Sequence, residues 1–214
     1  MSTAFSFSRD IDVAMPQQAF GGQADVLADI YEPQVNMAVW QRPLAGSVQY
    51  AVQQGINAGL TLNVTEEVSV SEALKTLQAN YSLSQWQPAL SEDVAALVDM
   101  FGCLFDTELV GLRLRTLSSA MCPKFHFDRV PCRLVMTYNG SGTQWLPNQC
   151  IAIEDGRLIC DVDNHSKHIN TLQEGEVALL KGSMWAGNEH TPLVHRSPQV
   201  ESSQSRLLLT LDAM

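Results

Sequence analysis

Three polar residues in the second half of the chain have the types and spacing of a metal-binding site. His126 and Asp128 are separated by one residue, in the stretch Phe-His-Phe-Asp. On a β-strand, residues i and i+2 point to the same face, so these two side chains would project together. An imidazole and a carboxylate supply two ligands of a facial triad of two histidines and one carboxylate, which leaves open coordination positions on a bound iron ion. The pattern therefore calls for a second histidine from a distant strand.

His195 is the better candidate for that third ligand. It follows Pro192-Leu-Val, a strand-like run, whereas His190 lies in a stretch that is typical of a loop. Eleven residues after His195, Arg206 opens the apolar strand Leu-Leu-Leu-Thr-Leu. Because an unpaired buried charge is expensive, we expect this arginine to be paired or to bind an anion.

The elements that must position these residues are short β-strands. After Leu109 the hydrophobic period changes from helical to two, with turn signals such as Asn139-Gly-Ser-Gly and Glu174-Gly between the runs. About eight short strands at close spacing favour a sandwich, a barrel or a jelly roll. The expected strands are Gly111–Thr116, Phe125–Asp128, Cys132–Tyr138, Thr143–Leu146, Ile151–Ile153, Leu158–Asp161, Val177–Leu180, Leu193–His195 and Arg206–Leu211.

The first half of the chain has a different pattern. The first 22 residues predict an irregular arm or an edge strand, and Ala24 to about Phe105 has helical spacing, with Ser91 as the cap of the clearest helix. We therefore predict an α+β fold, in which a helical N-terminal half packs on a C-terminal β-structure. Residues 1–108 would be the helical region of a single domain, and residues 109–214 its metal-binding core.

Composition narrows the class of protein. The 214 residues are 45% hydrophobic and carry a net charge of −10, which argues against a nucleic-acid partner. No apolar run approaches the roughly 20 residues that span a bilayer, and Met-Ser-Thr-Ala-Phe at the start lacks the features of a secretory signal, so we expect a cytoplasmic protein with no membrane partner. The five cysteines contain no Cys-x-x-Cys pair and predict reduced thiols, although Cys122, near His126, leaves a mixed Cys/His zinc site open.

At this point the sequence resembles the Fe(II)/2-oxoglutarate-dependent dioxygenases, which share the order His-x-Asp, distal His and then Arg. Their fold is the double-stranded β-helix, a jelly roll related to the cupins. The resemblance implies that His126, Asp128 and His195 bind Fe(II) and form the catalytic centre. It also implies that Arg206 binds the distal carboxylate of 2-oxoglutarate. The dioxygenase pattern commonly has a small hydroxyl residue two positions after that arginine, where this chain has Leu208.

Because of that departure, two other arginines are alternative anchors for an anion. Arg133 lies on the strand after the His-x-Asp pair, and Arg196 is adjacent to the distal histidine. The sequence leaves the choice among the three arginines open.

The chain more closely resembles an uncharacterised bacterial family described only as a domain of unknown function. The resemblance covers roughly Leu112 to Asp212 and implies a link to GTPase metallochaperones under zinc-responsive control. It rests on the stretches CPKFHFDRVPCRLVMTYNGSGTQWLP, EGEVALLKGSMW, LVHRSP and RLLLTLD.

Three functions are consistent with these residues. The leading hypothesis is a non-haem Fe(II), 2-oxoglutarate-dependent oxygenase that hydroxylates a small molecule or a protein side chain. The alternative is a cupin-like metal-binding protein in zinc or iron homeostasis, in which the same three ligands hold Zn(II) without oxygenase turnover. A purely structural β-sandwich module is the third, and it predicts no stoichiometric metal.

Overall fold

The structure is a computed structural model that describes residues 17–80, 88–154, 156–159, 166–202 and 204–214. Three α-helices lie in these ranges: α1 Gly46–Asn57, α2 Ala73–Asn80 and α3 Pro88–Phe105. The strands are β1 Gln17–Gly21, β2 Val35–Trp40, β3 Asn63–Ser69, β4 Leu109–Leu117, β5 Cys132–Asn139, β6 Gln144–Leu146, β7 Ala152–Glu154, β8 Arg157–Ile159, β9 Asn170–Thr171, β10 Val177–Lys181, β11 Val194–Arg196 and β12 Arg206–Ala213.

A seven-stranded sheet organises the fold. Its strand order is β1-β2-β10-β5-β12-β4-β3, and all neighbours are antiparallel except β1 and β2. The last strand, β12, lies between β5 and β4, with Leu209 opposite Met136 on one side and Leu114 on the other. The residues of β12 are therefore at the middle of the sheet, where both edges of the strand are hydrogen-bonded.

The helices cover one face of this sheet. Leu207, Leu209 and Leu211 of β12 belong to the core that also contains Val94 and Phe101 of α3. Successive strand residues point to opposite faces, so Arg206, Leu208, Thr210 and Asp212 face away from the helices. The same alternation on β5 directs Arg133 and Thr137 to that second face.

A smaller sheet packs on the second face. It has the order β11-β6-β9, and its strand β11 carries His195. Trp145 of β6 forms a second apolar cluster with Val135 and Leu180 of the large sheet. The molecule is thus a mixed α and β structure in which two sheets meet over a second core, with β7 and β8 as a separate hairpin.

The expectation of a helical N-terminal half needs correction. This half contains three helices, but it also contributes β1, β2 and β3 to the large sheet. In β2, five of six residues are buried, and a strand buried on both faces shows no alternation of apolar and polar residues. In β3, the two buried valines, Val64 and Val68, are four residues apart, a spacing that fits a helix as well as a strand. β1 is an edge strand, which was one of two expected alternatives for the first 22 residues.

The clearest helix also begins earlier than expected. α3 begins at Pro88, and Ser91 lies within it, where its hydroxyl donates a hydrogen bond to the Pro88 carbonyl at 2.9 Å. Ser91 is therefore not the helix cap. The expected strands after Leu109 are present with small shifts of their ends, except for the segment around His126, and residues 160 and 161 lie outside the described ranges. Among the helices in the described part of the chain, none has the combined length and apolarity needed to cross a bilayer.

Candidate metal and anion site

His126, Asp128 and His195 come together at the second face of the large sheet. One ligand atom from each residue lies within 4.8 Å of the other two. His195 Nε2 is 3.4 Å from Asp128 Oδ2, and His126 Nε2 is 3.8 Å from Asp128 Oδ1. Within the described ranges, this is the one cluster of three such groups. The arrangement fits the His-x-Asp and distal His pattern seen in the sequence.

The two histidines are brought together by their own backbones. His126 N–H donates to the His195 carbonyl at 3.0 Å, and His195 N–H donates to the His126 carbonyl at 2.9 Å. This isolated bridge replaces the regular strand that was expected at Phe125–Asp128. The bridge holds the rings with their centroids 4.6 Å apart, although 69 residues separate them in the chain.

Each imidazole is oriented by a bond from its other nitrogen. His126 Nδ1 lies 3.0 Å from the Lys124 carbonyl, and His195 Nδ1 lies 3.3 Å from the Leu193 carbonyl. A carbonyl oxygen can only accept, so these contacts place the ring proton on Nδ1 and leave the Nε2 lone pair directed at Asp128. Metal-binding histidines commonly have this type of support.

Burial favours the neutral form of His195. Its side chain is almost fully buried, and this burial lowers the pKa of the imidazole well below its usual range. The Asp128 carboxylate acts in the opposite direction but does not outweigh burial, and His126 lowers the pKa further. A neutral imidazole is the form that ligates a metal ion.

Asp128 is fixed through its backbone and has an oxygen without a hydrogen bond. Ser183 N–H donates to the Asp128 carbonyl at 2.9 Å. The buried Oδ2 atom lies 2.8 Å from Arg133 Nη1, in an orientation that does not meet hydrogen-bond geometry, and it accepts no bond in the described structure. A carboxylate with an oxygen that accepts no hydrogen bond, and with one imidazole nitrogen opposite each of its two oxygens, fits a metal ion.

Arg206 is buried beside this cluster in a cage of hydroxyl groups. Its side chain is 1% exposed, and its Nη2 donates to Thr137 Oγ1 at 3.0 Å and to Thr143 Oγ1 at 2.9 Å. Nη1 reaches Ser197 Oγ at 3.4 Å, and Nε has no partner in the described structure. No carboxylate of the described residues lies within 4.0 Å of its guanidinium, and burial lowers its pKa to about 10. The group remains a cation at neutral pH, with no counter-ion among the described residues.

The two alternative arginines have other partners. Arg133 binds Asp212 with two hydrogen bonds, Nε to Oδ1 at 2.8 Å and Nη2 to Oδ2 at 2.9 Å, in addition to its contact with Asp128. Arg196 donates from Nε to Gln144 Oε1 at 2.8 Å and stacks over the Phe125 ring at 4.4 Å. Arg206 alone among the three has neither an acidic partner nor exposure to solvent.

A narrow pocket lies between the two histidines of the cluster and the hydroxyls that bind Arg206. Its volume is about 50 Å³, which is room for a few water molecules. The hydroxyls of Thr143 and Ser197 belong both to its wall and to the Arg206 cage. The lining residues are Met121, Cys122, His126, Arg133, Val135, Thr143, His195, Arg196, Ser197, Leu208 and Thr210.

Several contributors to this site were not identified from the sequence. Thr137, Thr143, Ser197 and Asp212 carry no motif of their own, and the missing hydroxyl at position 208 pointed to Arg133 and Arg196 as alternative anchors instead. Cys122 lines the pocket but does not join the three-residue cluster of the described chain, and His190 is exposed on a turn outside it.

Known structures share this fold. A dioxygenase for auxin oxidation from rice is 11% identical, with a TM-score of 0.51, and the match covers 94% of this chain and 83% of that one. A 2OG-Fe(II) oxygenase family protein from Caulobacter crescentus is 12% identical, with a TM-score of 0.50, covering 92% of this chain and 86% of that one. At these identities the similarity establishes the fold alone.

Sequence comparison identifies the family. Among curated proteins, none matches the chain. A family profile described as "Protein of unknown function (DUF1826)" matches residues 21–212, which is most of the sequence. The chain, with its His126, Asp128 and His195 cluster, therefore belongs to the DUF1826 family.

Proposed function

We propose that this protein is a non-haem Fe(II), 2-oxoglutarate-dependent oxygenase. The observation that carries the proposal is the closeness of two groups, related by a pocket whose wall contains both cluster histidines and two hydroxyls that bind Arg206. The two groups are a cluster of two imidazoles and one carboxylate, and a buried arginine that has no acidic partner in the described structure. The fold shared with oxygenase structures supports the same reading, and we infer that the two packed sheets form a double-stranded β-helix of the jelly-roll or cupin type.

The metal would be held by His126, Asp128 and His195. With only three protein ligands, the bound metal would keep positions open for small ligands. With 2-oxoglutarate bound, iron supplies the activation of O2 and the oxidation of an unreactive C–H bond. The chain itself orients both imidazoles through the carbonyls of Lys124 and Leu193.

Arg206 would bind the distal carboxylate of 2-oxoglutarate. Its guanidinium is desolvated and uncompensated, so an anion gains a charge-assisted contact that water does not screen. Thr137, Thr143 and Ser197 provide hydroxyls around it and would take the role of the hydroxyl residue that is absent at Leu208. The hydroxyl that is missing at position 208 would thus be replaced by those of Thr137 on β5, Thr143 before β6 and Ser197 after β11.

Entry of a five-carbon dicarboxylate requires the pocket wall to move, because about 50 Å³ holds only water-sized molecules. Met121 is the most mobile candidate for this movement, since 44% of its side chain is exposed and a thioether chain adapts its shape readily. We propose a small molecule or a protein side chain as the substrate. The net charge of −10 disfavours nucleic acid.

The decisive experiment is an anaerobic titration of metal-free protein with Fe(II) and then with 2-oxoglutarate. We expect a saturable visible charge-transfer band of the iron–keto acid complex that is absent in His126→Ala and in Asp128→Ala. Iron binding without a band would refute the use of 2-oxoglutarate. The metal-binding alternative, in zinc or iron homeostasis, would then follow if Zn(II) binds the same ligands more tightly than Fe(II). Unchanged metal content in both variants would refute every metal hypothesis.

A further inference from the structure

We propose that Arg133 and Asp212 are positioning residues that make Asp128 a one-oxygen metal ligand. This inference deepens the proposed function and rests on it. It concerns a line of alternating charges on the second face of the large sheet, formed by Asp128, Arg133, Asp212 and Arg113.

The contacts in this line are short, and those that reach Asp212 are hydrogen bonds. Arg133 and Asp212 face each other across β5 and β12, where they are register partners, and they form the two parallel hydrogen bonds of a fork. The remaining amino group of Arg133, Nη1, lies 2.8 Å from Asp128 Oδ2. A single guanidinium therefore spans two carboxylates, one at the centre of the sheet and one in the metal cluster.

Because of this contact, the two oxygens of Asp128 have different neighbours. With Oδ2 beside the Arg133 cation, Oδ1 is the oxygen left free of a charged neighbour, and it faces His126 Nε2. A carboxylate that binds a metal through one oxygen occupies a single position, whereas a chelating carboxylate occupies two. By holding Oδ2, Arg133 keeps an additional position open for small ligands.

Asp212 is needed to balance the charge of Arg133. The Asp212 side chain is 9% exposed and also receives a hydrogen bond from Arg113 Nη1 at 2.5 Å. Without the Asp212 charge, Arg133 would pair with Asp128 alone and would present an uncompensated cation to an incoming dication. Loss of Asp212 should therefore weaken metal binding, although Asp212 does not touch the cluster.

The test is a titration of the metal-free full chain with Co(II), followed by its visible d–d absorption. For Asp212→Asn and Arg133→Lys we expect a 10- to 100-fold loss in Co(II) affinity, the range typical of residues that orient metal ligands. Lysine keeps the charge but cannot span two carboxylates with a planar fork. For Arg133→Lys we also expect an altered d–d intensity, because Asp128 becomes free to chelate; a purely structural role would leave the spectrum unchanged.

Two control variants separate this effect from general destabilisation. Asp93→Asn breaks an equally well-formed pair, in which Arg42 donates two bonds of 2.8 Å to Asp93, on the helical face of the sheet. Arg115→Lys alters an arginine that lies on the second face but binds Thr65 instead of Asp212. Both should bind Co(II) as the unaltered protein does. Thermal unfolding of each metal-free variant records its stability separately.

The outcomes distinguish the inference from the proposed function. If the unaltered protein binds Co(II), His126→Ala does not, and Asp212→Asn and Arg133→Lys bind as tightly as the unaltered protein, the positioning role is refuted and the metal site stands. If His126→Ala binds as well as the unaltered protein, the metal site and this inference are both refuted. If Asp212→Asn does not fold, Arg133→Lys decides alone.

Discussion

Replacing Arg206 by methionine tests whether this residue is an anion receptor or a structural cation. Methionine is similar in length and removes the charge. Removing an arginine from a buried ion pair lowers the free energy of unfolding by about 3–5 kcal/mol, because the partner charge is left buried and unpaired. Arg206 has no acidic partner in the described structure, so a different result is expected.

The magnitude follows from its surroundings. Burial lowers the pKa of Arg206 to about 10, well below its usual range. Since one pKa unit corresponds to about 1.4 kcal/mol, the buried charge costs the anion-free protein roughly 3 kcal/mol. The substitution also removes the hydrogen bonds to Thr137, Thr143 and Ser197, each with a net value of about 1 kcal/mol. These terms nearly cancel, so the free energy of unfolding should change by no more than about 1–2 kcal/mol.

Ligand binding should respond much more strongly than stability. A ligand at 100 times its Kd adds about 2.7 kcal/mol to the free energy of unfolding. For a chain of this size, that corresponds to a rise in Tm of about 5–10 °C. We expect 2-oxoglutarate to raise the Tm of the Mn(II)-loaded protein by this amount and to leave the Tm of Arg206→Met unchanged.

The assay is thermal unfolding with matched ligands and variants. The ligand 2-oxovalerate keeps the keto acid and replaces the distal carboxylate by a methyl group, so it should shift neither protein appreciably. Arg196→Met is the matched control variant, because Arg196 lies on the same pocket wall but already binds Gln144. An equal shift by 2-oxoglutarate in Arg206→Met and in the unaltered protein would refute the reasoning and return attention to Arg133 or Arg196.

Two further predictions concern the framework. Gly182→Ala would place a Cβ 2.1 Å from the Val130 carbonyl oxygen and 2.7 Å from that of Asp128, so it should lower metal affinity about tenfold or more as well as stability. Gly102→Ala meets a comparable clash away from the site and should lower stability only, as metal titration and thermal unfolding would record. Burial lowers the pKa of Lys181 in the folded protein. Between this lowered pKa and 10.5, the value in the unfolded chain, the unfolded chain binds more protons than the folded protein, so the free energy of unfolding should rise with pH. Lys181→Met should show a smaller rise over this range in denaturant titrations, and an unchanged slope would contradict the assignment.

The sequence predicted the strands of the C-terminal half well, for a physical reason. Glycine-containing turns separate those strands, so the ends of the strands are visible in the sequence. In β4, buried and half-exposed residues alternate, so its period of two is visible as well. The N-terminal strands lack these signals. β2 is buried on both faces, and β1 is formed by pairing with β2, a contact that no local pattern in the chain reports.

Some residues of the candidate site could likewise be predicted from the sequence, and others could not. His126, Asp128 and His195 could be predicted because a metal cluster demands particular residue types, and Arg206 because a charge in an apolar strand is conspicuous. The hydroxyl cage could not be predicted, since Thr137, Thr143 and Ser197 are ordinary residues whose role depends on three-dimensional proximity. Likewise, Arg133 was only one of two alternatives to Arg206 as an anion anchor, and its pairing with Asp212 follows only from the register of β5 against β12.

The central position of β12 has a consequence for synthesis. β12 carries Arg206 and Asp212, and it fills the space between β5 and β4, which both precede it in the chain. While the ribosome is still making this strand, the large sheet is divided into two parts whose facing edges lack partners. Arg206 and Asp212, the proposed anion receptor and the counter-charge of Arg133, are therefore added to the site in the same step that joins these parts.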